Sequence, residues 1–544
     1  MNESGQNTVP RLEQTLAQAA LLLAFLTLVS RVVGLLRVRI FTSYFGAGEI
    51  LDTYYAAFRI PDFLMGLFIV GTLSVAALPV IAEYFVRKPD RAPRMVANLI
   101  NITSLCMLVL CGLVGLGAPY LVSLIVPGFS PAQQQDVVML TRLILAAQVL
   151  LSIANLTTTA LNAAKRFLWA GIGPIFYNLG LIAGVVWLYP VYGLAGLGYG
   201  VILGAVLNLA CQLPELYSIG LQWRPVLSLR EPGFRDVLRL YVPRLLTIDL
   251  SQVSMLLAAI FGSYLAAGSI SVFHLAFDLQ AVPVGVFAFA AAVSAFPHLA
   301  ELHARANIRG YVSTLSETVL RVLFYMTPIA VLLLLLRAHL VRILYGAGQF
   351  SWEDTQATLA VLGVFAFSLI GQSLVPVFSR ALLARKQTLT PVLGNVFGVV
   401  VSLLVSWWLV GGYGIIGVVA GYTVGVTFNA LLLYGWLRRD LARSPEGLAA
   451  IVAEEQRAAG WLWHLLVAVF ALACVAYSVL YVVASRVDTH TWLGLVIQAA
   501  SASVLGGLVF LGFAYVAGLA EARMLVSGVS GIGMRCAKAL KLLK

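Results

Sequence analysis

Apolar residues in this chain come in long continuous blocks, not in the short alternating runs of half-buried strands. From Leu16 to Ala520 about fourteen such blocks follow one another, separated by short polar turns. At ~1.5 Å of rise per residue, each is long enough to cross the ~30 Å hydrocarbon core of a bilayer as a helix. The predicted spans are 16–45, 53–84, 95–125, 136–162, 168–189, 193–219, 240–265, 268–300, 314–336, 355–384, 389–410, 413–437, 461–485 and 491–520. In lipid the backbone must satisfy its own N–H and C=O groups, and a helix does so within each span. The pattern therefore predicts an all-α polytopic membrane protein.

Composition agrees. Of 544 residues, 61% are hydrophobic and only 11% charged, and the mean hydropathy is +0.94. A water-soluble globule cannot hide that much apolar surface, which excludes an ordinary soluble enzyme. The five cysteines, Cys106, Cys111, Cys211, Cys474 and Cys536, sit mostly in apolar spans without metal-ligand or disulfide spacing. The six histidines form no HExxH pattern or close pair. No metal site and no cofactor is expected. A formal charge of +12 could suggest nucleic acid, but the cations alternate with the loops, as the positive-inside rule requires. Arg87, Lys88, Arg91 and Arg94 follow the second span, Lys165 and Arg166 the fourth, and Arg224, Arg230, Arg235 and Arg239 the sixth. Arg305 and Arg309, Arg385 and Lys386, then Arg438, Arg439 and Arg443 continue the series, while the other loops carry chiefly Arg337, Arg342 and Arg486. Both termini are expected to be cytoplasmic, and no nucleic-acid partner is expected.

The chain also repeats itself at a shift of about 220 residues. Ala77-Leu78-Pro79-x-x-Ala82-Glu83 meets Ala295-Phe296-Pro297-x-x-Ala300-Glu301, and Phe129-Ser130 meets Phe350-Ser351. Ala160-Leu161 with Lys165 meets Ala381-Leu382 with Lys386, and Pro174-x3-Asn178 meets Pro391-x3-Asn395. Tyr192-Gly193-x2-Gly196 meets Tyr413-Gly414-x2-Gly417, and Gly204-x3-Asn208 meets Gly425-x3-Asn429. Each copy holds six spans, an even number, so both enter the membrane from the same side and the repeat is parallel. The expected organisation is a cytoplasmic tail (1–15), an N-lobe (16–219), a cytoplasmic linker (220–239) and a C-lobe (240–437). A second linker (438–460), two helices outside the duplication (461–520) and a basic cytoplasmic tail (521–544) complete it.

An ionisable group at membrane depth is costly unless it faces water, a partner or a ligand. Arg31, Arg37 and Arg39 lie on the first span, and Asp52, Arg59 and Asp62 at the start of the second. Guanidinium forks suit bidentate binding of phosphate oxygens, so Arg31, Arg37 and Arg59 suggest an anionic head group. The competing reading is that these arginines snorkel to the interface, as expected for Arg39, or pair with Asp52 and Asp62 as structural staples. Asp249 and Asp278 are isolated acids in the second copy and are candidates for coupling to a monovalent cation or proton, or for gating. Glu317, near a span's start, reads as an interfacial charge. Pro61 and Pro283 interrupt apolar helices and are candidate bends. The glycine-rich run from Gly193 to Gly204 lacks the lysine of a phosphate loop and reads as close helix packing.

Ser30-Arg31-Val32-Val33-Gly34-Leu35-Leu36-Arg37, then Phe45-Gly46-Ala47-Gly48 with Asp52, then Ala57-Phe58-Arg59-Ile60-Pro61, resembles the opening of the MurJ/MviN family of lipid II flippases. Gly71, Ser74, Pro79 and Ala82-Glu83-Tyr84 continue the resemblance, and weaker similarity runs through Pro127-Gly128-Phe129 and Ser251-Gln252. It implies a fourteen-helix fold of the multidrug/oligosaccharidyl-lipid/polysaccharide exporter superfamily in a bacterial inner membrane. The partners it implies are membrane lipids and an undecaprenyl-pyrophosphate-linked glycan, lipid II. By resemblance, Arg31, Arg37 and Arg59 match basic positions of the family's cavity, Ser30 and Asp52 match polar ones, and the last two helices offer a groove for the undecaprenyl tail. Two departures stand out. Met65 and Gly66 replace a usual Arg-Arg pair, with Phe68-Ile69-Val70-Gly71 following, and Ala276-Phe277-Asp278 places an acid where the family has an arginine.

Three readings follow: a lipid II flippase serving cell-wall synthesis, an exporter of another lipid-linked glycan or a cation-coupled drug exporter of the same superfamily, and a non-transporting membrane scaffold. A membrane glycosyltransferase is disfavoured because the loops are too short to carry acidic catalytic groups.

Overall fold

The computed structural model describes residues 16–70, 73–221, 224–241, 250–489 and 491–527, and every regular element among them is helical. The first copy runs through α1 (Leu16–Phe45), α2 (Glu49–Met65), α3 (Leu73–Arg87), α4 (Ala92–Ile125), α5 (Pro131–Ala163), α6 (Phe167–Ala183), α7 (Tyr189–Tyr192) and α8 (Leu194–Ser218), and then α9 (Pro232–Tyr241). The second runs through α10 (Leu250–Gly262), α11 (Ser269–Pro283), α12 (Phe289–Ala304), α13 (Ile308–Leu335), α14 (Arg337–Leu344), α15 (Trp352–Ala384), α16 (Leu389–Tyr413) and α17 (Ile415–Leu441). The last two helices are α18 (Pro445–Ala484) and α19 (Trp492–Val516).

Among the described residues, twelve helical stretches are long and apolar enough to cross a membrane. The expected count of fourteen also needs the first span, a 30-residue helix, and the seventh, which passes through residues 242–249 outside the described residues and continues as the 13-residue α10. The polar stretch expected as a linker at 438–460 is mostly helix. Ser444 caps α18 by accepting the Gly447 N–H at 3.1 Å, with Pro445 in the first turn, so a 40-residue helix starts well before its apolar part.

The prolines act differently from simple breaks. α2 continues through Pro61 to Met65, and a five-residue π turn follows at Gly66–Val70. In the second copy Pro283 closes α11 and the π turn at Val284–Ala288 comes next. The carbonyl that Pro61 leaves without its helical donor is that of Ala57, and Thr141 Oγ1 donates to it at 3.2 Å, while the π turn further on changes the helix direction locally. The two π turns begin at positions 66 and 284, the register in which the sequence repeats.

Backbone geometry repeats with the sequence elsewhere too. Gly193 (φ 57°, ψ −141°) opens α8 and Gly414 (φ 55°, ψ −135°) opens α17. Lys165 (φ 60°) and Lys386 (φ 63°) both take the left-handed conformation just after their helices. There Arg166 and Gln387 donate backbone N–H groups to the carbonyls of Leu161 and Leu382 at 2.8 and 3.0 Å, closing the same C-terminal motif twice. Ser130 and Ser351 cap α5 and α15 alike. The parallel duplication is thus carried by the coordinates as well as by residue identity.

The chain forms two compact units. Unit 1 comprises Met1–Phe41, Ala57–Ser123 and Ser130–Leu246, and unit 2 comprises Thr42–Ala56, Leu124–Phe129 and Thr247–Lys544. Two connections of the first copy therefore pack within unit 2. In unit 1, α6 lies along α8 at backbone distance. A Cβ on Gly180 would overlap the backbone of Gly204, and one on Gly184 would stand 2.7 Å from the Gly200 Cα. The linker after α8 is tied down by buried Asn98, which donates to Ser228 O at 2.9 Å and accepts from Ser228 N at 2.7 Å. In unit 2, Gly398 and Gly425 bring α16 and α17 together as Gly180 and Gly204 do α6 and α8. α18 packs on α19 and on α13 through a core that includes Phe324, Leu465, Leu472 and Phe510.

Gly180→Ala is expected to cost about 1–3 kcal/mol of stability through overpacking, read as a lower melting temperature in detergent. Gly112→Ala, where nothing lies within 4 Å of the new methyl, should leave it unchanged or slightly raised. Equal behaviour of the two variants would show that the close approach at Gly180 carries no stability.

Candidate functional site

α1 is set against α6 by two contacts. A Cβ on Gly171 would stand 2.6 Å from the Leu26 side chain, and one on Gly34 would stand 3.8 Å from Asn178 Oδ1. The amide of Asn178 is itself held by a 2.9 Å hydrogen bond donated to Pro174 O. This register places Arg37, one turn beyond Gly34, where its guanidinium acts electrostatically on both Tyr177 of α6 and Asp62 of α2. Arg59, one turn before Asp62 and only 8% exposed, reaches that same carboxylate at 3.4 Å. Arg37, Arg59, Asp62 and Tyr177 form one polar cluster in unit 1.

Its electrostatics suit an anion. Asp62 pairs with Arg59 and lies within the electrostatic reach of Arg37, so two guanidiniums stand near one carboxylate. The 3.4 Å Arg59–Asp62 pair is longer than the charge-assisted hydrogen bonds such groups can form, and the Asp62 side chain is 40% exposed. Phosphate oxygens could engage both forks while Asp62 holds them in place beforehand. Of the predicted residues, Arg37 and Arg59 are brought together. Arg31 is exposed six residues earlier on α1 and Ser30 is half-buried beside it, and among the described residues neither joins this cluster. Tyr177 was not singled out by the sequence reading, because a tyrosine in an apolar span carries no distinctive local signal.

Asp52 has a different setting. It is 1% exposed and caps the start of α11: Gly268 N donates to Oδ2 at 2.7 Å, Ser271 N to Oδ1 at 2.7 Å, and Ser271 Oγ to Oδ1 at 2.5 Å. The charge is thus held by three donors and the positive end of a helix. The adjoining connection is equally tight. Gln349 N donates to Ser43 O at 2.9 Å, Ala47 N to Asp354 Oδ2 at 3.1 Å, and Gly128 N to Ser263 Oγ at 3.1 Å. Gly348 approaches the Ser43 backbone as Gly128 approaches that of Ser263, so one contact occurs twice, shifted by the repeat. These contacts are all internal to unit 2.

Asp278 is exposed on α11, flanked by buried Phe277 and Leu279. Nearby in sequence, Gln280 is buried and accepts from Gln372 Nε2 at 2.7 Å. Asp249 lies outside the described residues. Arg380, within the tenth predicted span, places its guanidinium 4.4 Å from the Phe289 ring centre. The rule that flagged Arg37 flags Arg380 equally, and the sequence reading passed over it.

The sequence profile described as "Lipid II flippase MurJ" matches residues 41–498. The chain belongs to the lipid II flippase MurJ family. Among curated members, the Lipid II flippase MurJ of Burkholderia cenocepacia is 29% identical over 437 residues, covering 78% of this chain and 84% of the relative. A probable lipid II flippase MurJ of Vibrio cholerae is 27% identical over 435 residues, covering 77% and 82%. Among solved structures, a lipid II flippase MurJ in an inward closed conformation matches with a TM-score of 0.69 at 22% identity, covering 91% of this chain and 98% of that one. An inward-facing MATE family multidrug transporter of the MOP superfamily matches with a TM-score of 0.62 at 16% identity, covering 80% and 99%. The fold is that of the MOP exporters, and the chain is a multi-pass inner-membrane transporter, not an enzyme. In this MurJ family member the π turn Gly66–Val70 begins directly after Met65, the last residue of α2.

Asp52→Ala removes an acceptor from three donors and should lower stability by about 1.5–3 kcal/mol, seen as a lower melting temperature. Ser271→Ala, which leaves both backbone donors in place, should cost less. If Ser271→Ala proved the more damaging, the carboxylate would not be the element holding the start of α11.

Proposed function

We propose that this chain moves lipid II from the cytoplasmic to the outer leaflet of the inner membrane for cell-wall synthesis, by alternating access and without making or breaking covalent bonds. The observation that carries this reading is the family match over residues 41–498. The Arg37–Asp62–Arg59 cluster supplies the chemistry: its guanidiniums hold the pyrophosphate, and Asp62 keeps them oriented between cargoes. Arg31 and Ser30 contact outlying parts of the head group, and Asp52 secures the start of α11 and does not touch cargo. Guanidinium contacts offset the head group's lost hydration. The undecaprenyl tail remains in lipid, as the resemblance implies for the groove of the last two helices.

The lobes that alternate are 16–219 and 240–437, with 461–520 outside the duplication. The alternate-loop distribution of Lys and Arg supports cytoplasmic termini. Asp278, an exposed acid on the membrane-crossing α11, is the coupling site for a monovalent cation or proton, with Asp249 as its second candidate. Across a membrane potential each coupled charge contributes ~2.3 kcal/mol per 100 mV.

In cells depleted of their own lipid II flippase, the wild-type chain should restore growth and surface exposure of lipid II. Arg37→Ala and Arg59→Ala should each reduce surface lipid II roughly tenfold or more, in line with about 1.5–3 kcal/mol per charged hydrogen bond. Asp278→Asn should transport more slowly and lose its response to the membrane potential. Rescue by the arginine variants as strong as wild type would refute the clamp, and no rescue by a well-inserted wild-type chain would refute the substrate. For the topology, a cysteine placed at Arg91 should resist a membrane-impermeant thiol reagent in intact cells, and labelling there would reverse the orientation.

A further inference from the structure

Within unit 2, the short helix α14 of the second copy is fastened to the last two helices. α14 packs against α19, and Leu336, Ala476, Ala499 and Ala502 form a small buried core there, flanked by Leu340 and Leu480. Two polar contacts accompany this core. Trp492 Nε1 donates to Ile343 O at 3.1 Å. His339 Nε2 meets Gln498 Oε1 at 2.9 Å, and Gln498, buried on α19, donates its own Nε2 to Leu480 O of α18 at 2.7 Å.

The second bond of Gln498 fixes the direction of the first. With its nitrogen committed to Leu480, the amide offers oxygen to His339, so His339 Nε2 carries the proton and Nδ1 is left as a lone pair. Nδ1 is shut off from water and has no hydrogen-bond partner. A second proton would place a charged N–H where no acceptor stands. The surroundings offer it no counter-charge. Arg337 and Arg342 share α14 with His339, α13 has no charged residue after Arg321, and α19 has none at all. α18 has only the exposed His464 after Arg457, and Arg486 and Asp488 in the turn beyond it are exposed. α15 opens with Glu353 and Asp354, and Asp354 already accepts from Ser351 N and Ala47 N. Burial holds the pKa of His339 below its ordinary value, the Gln498 bond works against this, and the Arg342 charge adds to it. The closed junction therefore favours the neutral ring. Its stability is whole above about pH 6.5 and falls as the pH drops below that.

We propose that His339 is a proton-sensitive latch between α14 and the last two helices, which holds the start of α19 through Gln498 when neutral and releases it when protonated. The larger core that joins α13, α18 and α19 around Phe324 and Leu465 is a separate cluster, so release is confined to the α14 end. The latch does not depend on which cargo the chain moves. In the orientation proposed above it lies on the side opposite the basic loops, where it senses acid outside the inner membrane; the chemistry of the latch is the same in either orientation.

The test is hydrogen–deuterium exchange of the full-length protein in detergent, read over the first two turns of α19 by mass spectrometry. Wild type and variants are compared at the same pH, so that the intrinsic exchange rate cancels. His339→Gln keeps an N–H donor and cannot take up a proton. At pH 8 it should match wild type, and at pH 5.5 wild type should exchange about threefold to tenfold faster than it does. Gln498→Glu, which gives the imidazolium an acceptor of opposite charge, should abolish the acid-induced rise. His464→Gln, and His490→Gln at a position outside the described residues, should both keep the wild-type response. Equal exchange by wild type and His339→Gln at pH 5.5, the same difference between them at both pH values, or loss of the acid response in His464→Gln or His490→Gln would each overturn the latch. Should His339→Gln fail to insert, an undiminished acid response in Gln498→Glu would overturn it alone.

Discussion

The structure depends first on the absence of water in the hydrocarbon core. A backbone group left without a partner there costs several kcal/mol, so long apolar blocks become helices that satisfy themselves, and departures from the helix need compensation. Thr141 Oγ1 supplies such compensation at the Ala57 carbonyl that Pro61 frees, and the π turns at Gly66–Val70 and Val284–Ala288 recur at corresponding places in the two copies. Without a hydrophobic force between helices in lipid, association rests on close packing, and the glycines of α6 and α8 and of α16 and α17 permit backbone-to-backbone approach.

Charge obeys the same constraint. Asp52 is buried and answered by three donors at a helix start, whereas Asp62 is half-buried and pairs with Arg59 across a long contact, within the electrostatic reach of Arg37. The first arrangement is saturated and structural. The second brings a carboxylate and guanidiniums together within the membrane-crossing part of the chain, where such groups are costly unless they serve one another or a ligand.

Duplication gives the molecule a common packing scheme without identical chemistry. The Schellman ends at Lys165 and Lys386 and the glycine helix openings recur, yet the arginine–carboxylate cluster belongs to the first copy and the Gln280–Gln372 pair to the second. The additional π turn at Gly184–Leu188 has no counterpart in α16, which runs unbroken from Leu389 to Tyr413. Backbone motifs persist because the whole helix pair needs them, while individual polar side chains can diverge without disturbing that packing.

Helix class, approximate spans, the parallel repeat and the arginines worth attention were legible from the sequence, because hydropathy and the cost of intramembrane charge are local properties. Sequence also carried the family, through the cluster of Gly, Arg and Pro from Ser30 to Pro61. What it could not decide was partnership. Asp52 and Asp62 lie ten residues apart and look alike in sequence, but one meets backbone N–H groups more than two hundred residues away and the other meets Arg37 and Arg59. Tyr177 and Arg380 likewise gained meaning only from their neighbours in space. Transfer cost depends on residue type and chain depth, whereas hydrogen bonding and charge pairing depend on distances that only the packed helices set.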